Sequence, residues 1–473
     1  MNAIHRPFIQ NLKDIRIWIM LFFIVRLVGI TNPPLETGHN WRQSLTSMIT
    51  RNLSETGFDL LHPRIDMAGN ESGFIGSEFP LFNAATYLCN ETLGYSHWYG
   101  RLINLIVSSL GLWFFYKLIK RIFDSDTAFY STLILAASIW FAFSRKTMPD
   151  TFSISLALGG LYYCSRFIDG KGQHNIFLYA LFMSAGILCK LPAMLWMTPV
   201  GIYILTGKMS LKNKIPVVIA SAFILAAAFS WYFVWVPHLV STYHYQLYFP
   251  KSFSEGISEI ADHIPGLLKN FYFHAFSSYV AFGLLLAGIP VFMKRAGTSI
   301  KITAAAMIAV FALFIIKTGS VFPLHNYYII PFVPSMAVAA GLFLSRLPGK
   351  WQLLLVGVVI TESTLNQQHD FFIKESERYK AGLELVADTH TNRKDLIIIN
   401  GGQNPQLMYL AHRKGWTVAN DVISDSASVT QMQEKGARFV IIDRKNDIAS
   451  VPFFREIHVD EHFRIFKIEK QGG

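Results

Sequence analysis

The chain has 473 residues, of which 52% are hydrophobic and only 15% charged, and its mean hydropathy is +0.34. A soluble domain carries about a quarter of its residues as charges, so this composition excludes an ordinary soluble enzyme and marks an integral membrane protein. The net charge of +11 falls as short Lys/Arg clusters between apolar runs, the pattern of topology signals and not of a nucleic-acid surface.

The first apolar run, near 15–30, lacks a small-residue cleavage site and is followed by further spans, so it reads as a retained anchor. Arg26 inside it is expected to snorkel outward. Behind this run lies the densest polar tract of the chain, from Gly38 to Phe82, containing GHNWRQSLTSMITRN, PRIDMAG and GSEFPLF. A loop of this length and chemistry is more than a connector. His39, Trp41, Arg42 and Gln43 follow the Pro33-Pro34 exit from the span, as an aromatic belt with solvated neighbours or as a binding cluster. Asp66 follows Pro63-Arg64-Ile65 and has Arg64 as its simplest partner. Glu78 precedes Phe79-Pro80 at an expected helix start, where a carboxylate is either a cap or a reacting group. The segments Trp41 to Leu53 and Pro80 to Leu93 have helical periodicity suited to lying along an interface.

Further apolar runs of membrane-crossing length occur near 102–119, 127–144, 151–168, 176–189, 191–206, 215–236, 275–293, 300–316, 327–345 and 351–363, about eleven spans with the first. Basic residues fall in every second loop: Arg6, Lys13 and Arg16; Lys117, Lys120 and Arg121; Arg166 and Lys171; Lys208, Lys212 and Lys214; Lys294, Arg295 and Lys301; Arg346 and Lys350. The positive-inside rule then puts the N-terminus in the cytoplasm and the 31–97, 145–150 and 237–272 loops outside.

The short outer loop Ser144 to Asp150 sets Arg145 and Lys146 beside a carboxylate at the membrane boundary. The two cations are either interfacial anchors or a phosphate clamp, and Asp150 beside them can act as a base or orient one. Lys190, in Cys189-Lys190-Leu191-Pro192, interrupts two apolar runs at the outer face and is suited to a lipid phosphate. His325, with Tyr327 and Tyr328, opens another span there; interfacial tyrosines are usually anchors, which makes this a weaker site.

Beyond 364 the composition becomes soluble. LIIIN at 396–400, a helical NPQLMYLAHRKGW, a helical SASVTQMQEKGA and then RFVIID predict a small α/β domain. The expected organisation is a transmembrane domain over 1–363 with outer loops 31–97 and 145–150, and a soluble α/β extracytoplasmic domain over 364–473. Cys89, Cys164 and Cys189 are too dispersed for a disulfide framework or a CxxC metal site, and GxxxxGK[ST], HExxH and GxSxG are missing. GGQNP at 401–405 follows a strand and precedes a helix, but reads as a structural turn.

The retained first span, the long outer loop with WRQ, PRID and EFP, and the short RKTMPD loop resemble the bacterial GT-C glycosyltransferases of the protein-mannosyltransferase and aminoarabinose-transferase type, over about residues 12–345. The resemblance implies a polytopic helical fold with an extracytoplasmic C-terminal domain, in a bacterial inner membrane. It further implies inverting transfer of a sugar from a polyprenyl-phosphate carrier to a hydroxyl acceptor on the outer face, with an outer-loop carboxylate as base and basic residues holding the phosphate.

By the resemblance, Asp150 matches the second-loop acid and Glu78 the acid before a proline-initiated helix. The catalytic candidates are therefore Asp150 and Glu78, then Asp66. Arg42, Arg145, Lys146, Lys190, His39, Trp41, His325 and Tyr328 are the candidates for binding lipid phosphate or sugar. Relatives commonly place an acid close to the WRQ tract, whereas this chain has Ser44-Leu45-Thr46, so one of the three acids takes that role or the activity is altered. The acids are too scattered to define a metal shell, and a divalent cation stays open. A lipid-linked glycan transporter and a non-catalytic assembly protein are the competing readings; the gathering of polar residues at one face argues against the transporter. Sequons stand at Asn52, Asn70 and Asn90.

Overall fold

The computed structural model describes residues 13–207, 209–245, 250–446 and 454–468; Arg6 and Lys208, used above for topology, lie outside them. The chain forms two compact units. One comprises Met1–Ile30, Arg101–Val236 and Tyr248–Phe371, the other Thr31–Gly100, Pro237–Leu247 and Phe372–Gly473.

The first unit is helical. Pro149 occupies the first turn of the helix Pro149–Ile168, where its missing N–H costs no hydrogen bond, and Asp124 caps Ser125–Ala137 by accepting from the Thr127 amide at 2.7 Å. The helices Pro149–Ile168 and His174–Cys189 meet backbone to backbone. A Cβ at Gly186 would stand 2.7 Å from the Ser153 carbonyl oxygen, so only glycine permits this approach. Leu133, Ile134, Trp140, Met183, Ile187 and Phe276 are among the side chains of its core.

Three helices of the described residues are long and apolar enough to cross a membrane: Tyr99–Ile122, Leu211–Tyr243 and Thr298–Thr318. A fourth crossing arises if Ile264–His274 and Tyr279–Arg295, bent by 90° at a short break, act as one. The apolar runs near 15–30, 176–189, 191–206 and 327–345 contain shorter apolar helices, Ile15–Val25, His174–Cys189, Leu191–Thr206 and Val333–Leu344. The break between the second and third of these falls at Lys190, whose backbone is extended.

Arg26 does not snorkel outward. It is fully buried, and its guanidinium donates to the Phe22 carbonyl at 2.8 Å and to Ser144 Oγ at 2.5 Å. Neutral protein acceptors hold Nε and Nη1 inside the unit, while Nη2 is buried with no hydrogen-bond partner among the described residues.

In the second unit the helices Asn40–Thr56 and Leu81–Leu93 form where periodicity placed them. Asn83 joins them, its amide donating to the Thr46 carbonyl at 2.7 Å and to Thr50 Oγ1 at 2.9 Å. The sheet comprises β1 (Leu396–Ile399), β2 (Lys414–Thr417), β3 (Ala437–Asp443), β4 (Phe454–Val459) and β5 (Phe463–Ile468), in the order β2-β1-β3-β5-β4. β1 is parallel to both β2 and β3, whereas β5 is antiparallel to β3 and β4.

The segment NPQLMYLAHRKGW is helical only over Gln406–Ala411. His412 turns left-handed (φ 49°) and ends the helix, and Lys414–Thr417 becomes β2, paired in register from Leu396–Lys414 to Ile399–Thr417. The ladder with β1 outweighs the helical pattern, and Gly415 accepts the close approach that a Cβ could not, 1.9 Å from the Ile397 oxygen.

The PRIDMAG tract is built onto the edge of this sheet. The Gly415 amide donates to the Asp66 carbonyl at 2.9 Å, and the Gly69 amide to the Gly415 carbonyl at 2.7 Å. Leu45, Met48, Ile65 and Ile75 share one core with Ile397, Tyr409 and Ile441, so the polar tract and the C-terminal sheet fold as one body. Of the three sequons, Asn52 and Asn90 are buried and Asn70 is exposed.

Candidate functional site

In the first unit, Asp150 sits in the first turn of Pro149–Ile168 and Lys190 at the end of His174–Cys189. Lys190 Nζ donates to Asp150 Oδ1, and the two residues are 8% and 4% exposed. Tyr327 and Tyr328 cover the ammonium, their ring centroids 4.8 and 5.5 Å from Nζ. His325 packs beside both rings, at 5.6 and 6.3 Å. Asp150 Oδ2 is buried and has no hydrogen-bond partner among the described residues. A buried carboxylate oxygen left open beside a lysine is poised to accept a proton or a hydroxyl hydrogen bond.

The loop that carries Asp150 is held by Asn104, on the helix Tyr99–Ile122. Its amide nitrogen lies 3.0, 2.9 and 3.1 Å from the carbonyls of Phe143, Lys146 and Met148. Its oxygen accepts from Ser108 Oγ and, at 3.0 Å, from Thr151 Oγ1 next to Asp150. Sequence reasoning missed Asn104, because nothing in its neighbourhood marks an asparagine in an apolar helix except its polarity.

Arg145 and Lys146 are both fully buried. Arg145 donates to the carbonyls of Arg26 (3.0 Å), Val28 (2.7 Å) and Asp370 (3.3 Å) and lies 4.2 Å over the Phe371 ring. Lys146 Nζ pairs with Asp370 Oδ1 at 2.8 Å. Both cations thus have protein partners at the end of the Gly349–Gln367 helix, and Asp370 was not foreseen. Its signal was an isolated acid just past the last apolar run.

In the second unit, Arg42 Nη2 pairs with Glu78 Oε1 at 2.5 Å, the side chains 11% and 25% exposed. Glu78 is not a cap; Pro80 stands at that position and makes no side-chain cap bond. Trp41 Nε1 donates to the Gln403 carbonyl at 2.9 Å. His39 precedes the helix in the left-handed region, with φ 57° and no side-chain cap bond.

Asp66 pairs with Arg51 and not with Arg64. Arg51 Nη2 donates to Asp66 Oδ2 at 2.8 Å, and Asn52 Nδ2 to Oδ1 at 2.8 Å. Arg64 lies 4.5 Å over the Phe74 ring. Arg51 also donates to the Tyr409 carbonyl at 2.8 Å and faces that ring at 4.7 Å. Burial lowers the Arg51 pKa, but the Asp66 carboxylate, with the Tyr95 and Tyr409 hydroxyls, outweighs burial and raises it above the ordinary arginine value. Both oxygens of Asp66 are thereby occupied, in contrast to Asp150. Among the described residues, no group of three or more His, Cys, Asp or Glu side chains is placed to hold a metal ion.

A family model described as dolichyl-phosphate-mannose-protein mannosyltransferase matches residues 77–235. No curated protein matches the sequence. Among solved structures, ArnT from Cupriavidus metallidurans bound to undecaprenyl phosphate is 15% identical with a TM-score of 0.65, over 95% of this chain and 98% of that one. The same protein in the apo state gives 16%, 0.63, 95% and 97%. The archaeal oligosaccharyltransferase AglB from Archaeoglobus fulgidus, in complex with an inhibitory peptide and a dolichol-phosphate, gives 11% and 0.58, over 90% of this chain and 69% of that one. The chain has the GT-C fold of the protein-mannosyltransferase and aminoarabinose-transferase type that its motifs resemble.

Proposed function

We propose that this protein is an inverting membrane glycosyltransferase, moving a sugar from a polyprenyl-phosphate carrier to a hydroxyl acceptor on the outer face of a bacterial inner membrane. The observation that carries the reading is the buried Asp150–Lys190 pair with Asp150 Oδ2 left open. The acceptor hydroxyl donates to this oxygen. As its own oxygen attacks the anomeric carbon, the proton passes to the Asp150 carboxylate, and the bond from that carbon to the phosphate oxygen breaks with its electron pair. Lys190 supplies positive charge for the phosphate oxygen as polyprenyl phosphate leaves, held in place by Tyr327 and Tyr328.

This ranks Asp150 first among the three acids. Glu78 is assigned to holding Arg42 in place for a substrate anion, and Asp66 to holding the PRIDMAG turn. The presence of undecaprenyl phosphate in the ArnT structure and of dolichol-phosphate in the AglB structure supports a lipid-phosphate donor. The sugar and the acceptor are named by one comparison: mass spectrometry of lipid-linked sugars and surface glycans in wild-type and deletion cells. The reading expects a lipid-linked sugar to accumulate while one glycan loses that sugar. Unchanged glycans together with an unchanged donor pool would defeat it.

A further inference from the structure

A cavity of about 690 Å³ lies within the first unit, and its walls are almost wholly apolar: Leu118, Leu161, Trp196, Phe282 and Met307 are among them. It is lined by Leu161 to Ile168 of the helix whose first turn carries Asp150. Ser165 lies 15 residues beyond Asp150, about 22 Å along the axis at 1.5 Å per residue. The cavity's polar rim is therefore at the far end of the helix from the carboxylate, and it belongs to a different chemistry.

That rim is basic. Arg121, Ser299 and Lys301 line it, and Lys294 and Arg295 follow the lining residue Met293 in the last turn of Tyr279–Arg295. Of these cations, Arg121 is paired with a carboxylate, that of Asp169. The side chains of Lys294, Arg295 and Lys301 make no hydrogen bond or ion pair among the described residues. The helix Thr298–Thr318 also starts here, behind Gly297, with no side-chain cap on its first amides. Apolar walls between helices with a basic mouth match a lipid that has apolar chains and an anionic head.

We propose that this cavity holds the acyl chains of one anionic phospholipid, with its headgroup phosphate between Arg121, Lys294, Arg295 and Lys301. A zwitterionic lipid offers the same chains, but its own cation faces the rim, so the discrimination resides in the headgroup.

The test uses the full chain in nanodiscs made from phosphatidylglycerol and phosphatidylcholine in equal amounts, with retained lipid counted by native mass spectrometry after transfer to detergent. The expected result is one retained phosphatidylglycerol per chain, favoured about tenfold or more over phosphatidylcholine. The double variant Arg295→Glu, Lys301→Glu, with both changes at exposed or half-buried positions, is expected to erase the preference. Ala304→Trp, which fills the cavity from its wall, is expected to abolish retention of either lipid. Equal retention of both lipids by the wild type, a preference that survives charge reversal, or retained polyprenyl phosphate in place of phospholipid would each overturn the proposal. Retention is read without turnover, so the result stands apart from the glycosyl-transfer reading.

Discussion

Arg51 and Asp66 form a buried ion pair at 2.8 Å that joins the helix Asn40–Thr56 to the PRIDMAG turn, and the same guanidinium reaches the Tyr409 carbonyl of the C-terminal part of that unit. Removing one partner leaves an uncompensated buried charge, a change that costs about 3–5 kcal/mol. Asp66→Asn and Arg51→Met are each expected to lower the thermal midpoint of the protein markedly, and the double variant to recover part of the loss. Thermal unfolding of the three variants checks this. Full stability of Asp66→Asn with loss of turnover would instead return Asp66 to the chemistry.

His412 makes the stability of the second unit depend on pH. His412 donates from Nε2 to Glu55 at 2.5 Å and from Nδ1 to Glu384 at 2.8 Å. Burial alone would lower its pKa, but the hydrogen bonds to Glu384 and Glu55 outweigh burial and raise it above 6.5. The bond from His412 holds Glu384 down at about 2, against an ordinary 4.5. A raised histidine contributes stability that is complete below about 6.5 and lost as pH rises through its folded value. A lowered glutamate contributes stability that is complete above about 4.5 and lost as pH falls toward 2. The contribution of this cluster is therefore greatest between about pH 4.5 and 6.5. His412→Gln is expected to flatten the fall in the thermal midpoint above that window, and an unaltered pH profile would contradict the assignment.

Since Glu78 is assigned to holding Arg42, Glu78→Gln and Arg42→Gln are expected to lower kcat/KM by similar factors, and the double variant by little more than either. Additive losses, with Glu78→Gln falling as far as Asp150→Asn, would give Glu78 a proton-transfer role of its own.

Asn104 acts through the loop it holds. Asn104→Ala removes the amide that ties the carbonyls of Phe143, Lys146 and Met148 together, although the Phe143 and Lys146 carbonyls keep the amides of Lys146 and Met148 as donors; a carbonyl left unpaired costs about 1–3 kcal/mol. It is expected to reduce kcat about tenfold or more and to shift the pH–rate profile, while the apparent affinity for the lipid donor stays within about threefold. A drop in protein yield alone, with the turnover and pH profile of the remaining folded protein unchanged, would reduce Asn104 to a packing role.

Much of this was legible in the chain and the rest failed for identifiable reasons. The helices at Asn40–Thr56 and Leu81–Leu93 and the strand Leu396–Ile399 carry their own periodicity. Lys414–Thr417 has the pattern of a helix end, and only the ladder to β1 makes it a strand. Proximity in sequence favours Arg64 as the partner of Asp66. The strand-like turn instead points Arg64 at Phe74, and the helix brings Arg51, fifteen residues away, into reach. Arg26, Arg145 and Lys146 were read against lipid, whereas buried carbonyls and Asp370 receive them, partners that no local pattern announces. Asp150 was legible as a carboxylate beside cations, but its partner Lys190, forty residues on, follows only from the packing of two helices.

In the proposed reaction Asp150 takes the acceptor's proton. Release of polyprenyl phosphate from a polyprenyl-phosphate sugar pool, measured with the purified wild type and with Asp150→Asn in the same lipid, tests it most directly. The expected result is release by the wild type and a loss of about 10²-fold or more in the variant, with folding and donor binding retained. Equal release by the two proteins, or none by the wild type, would contradict it.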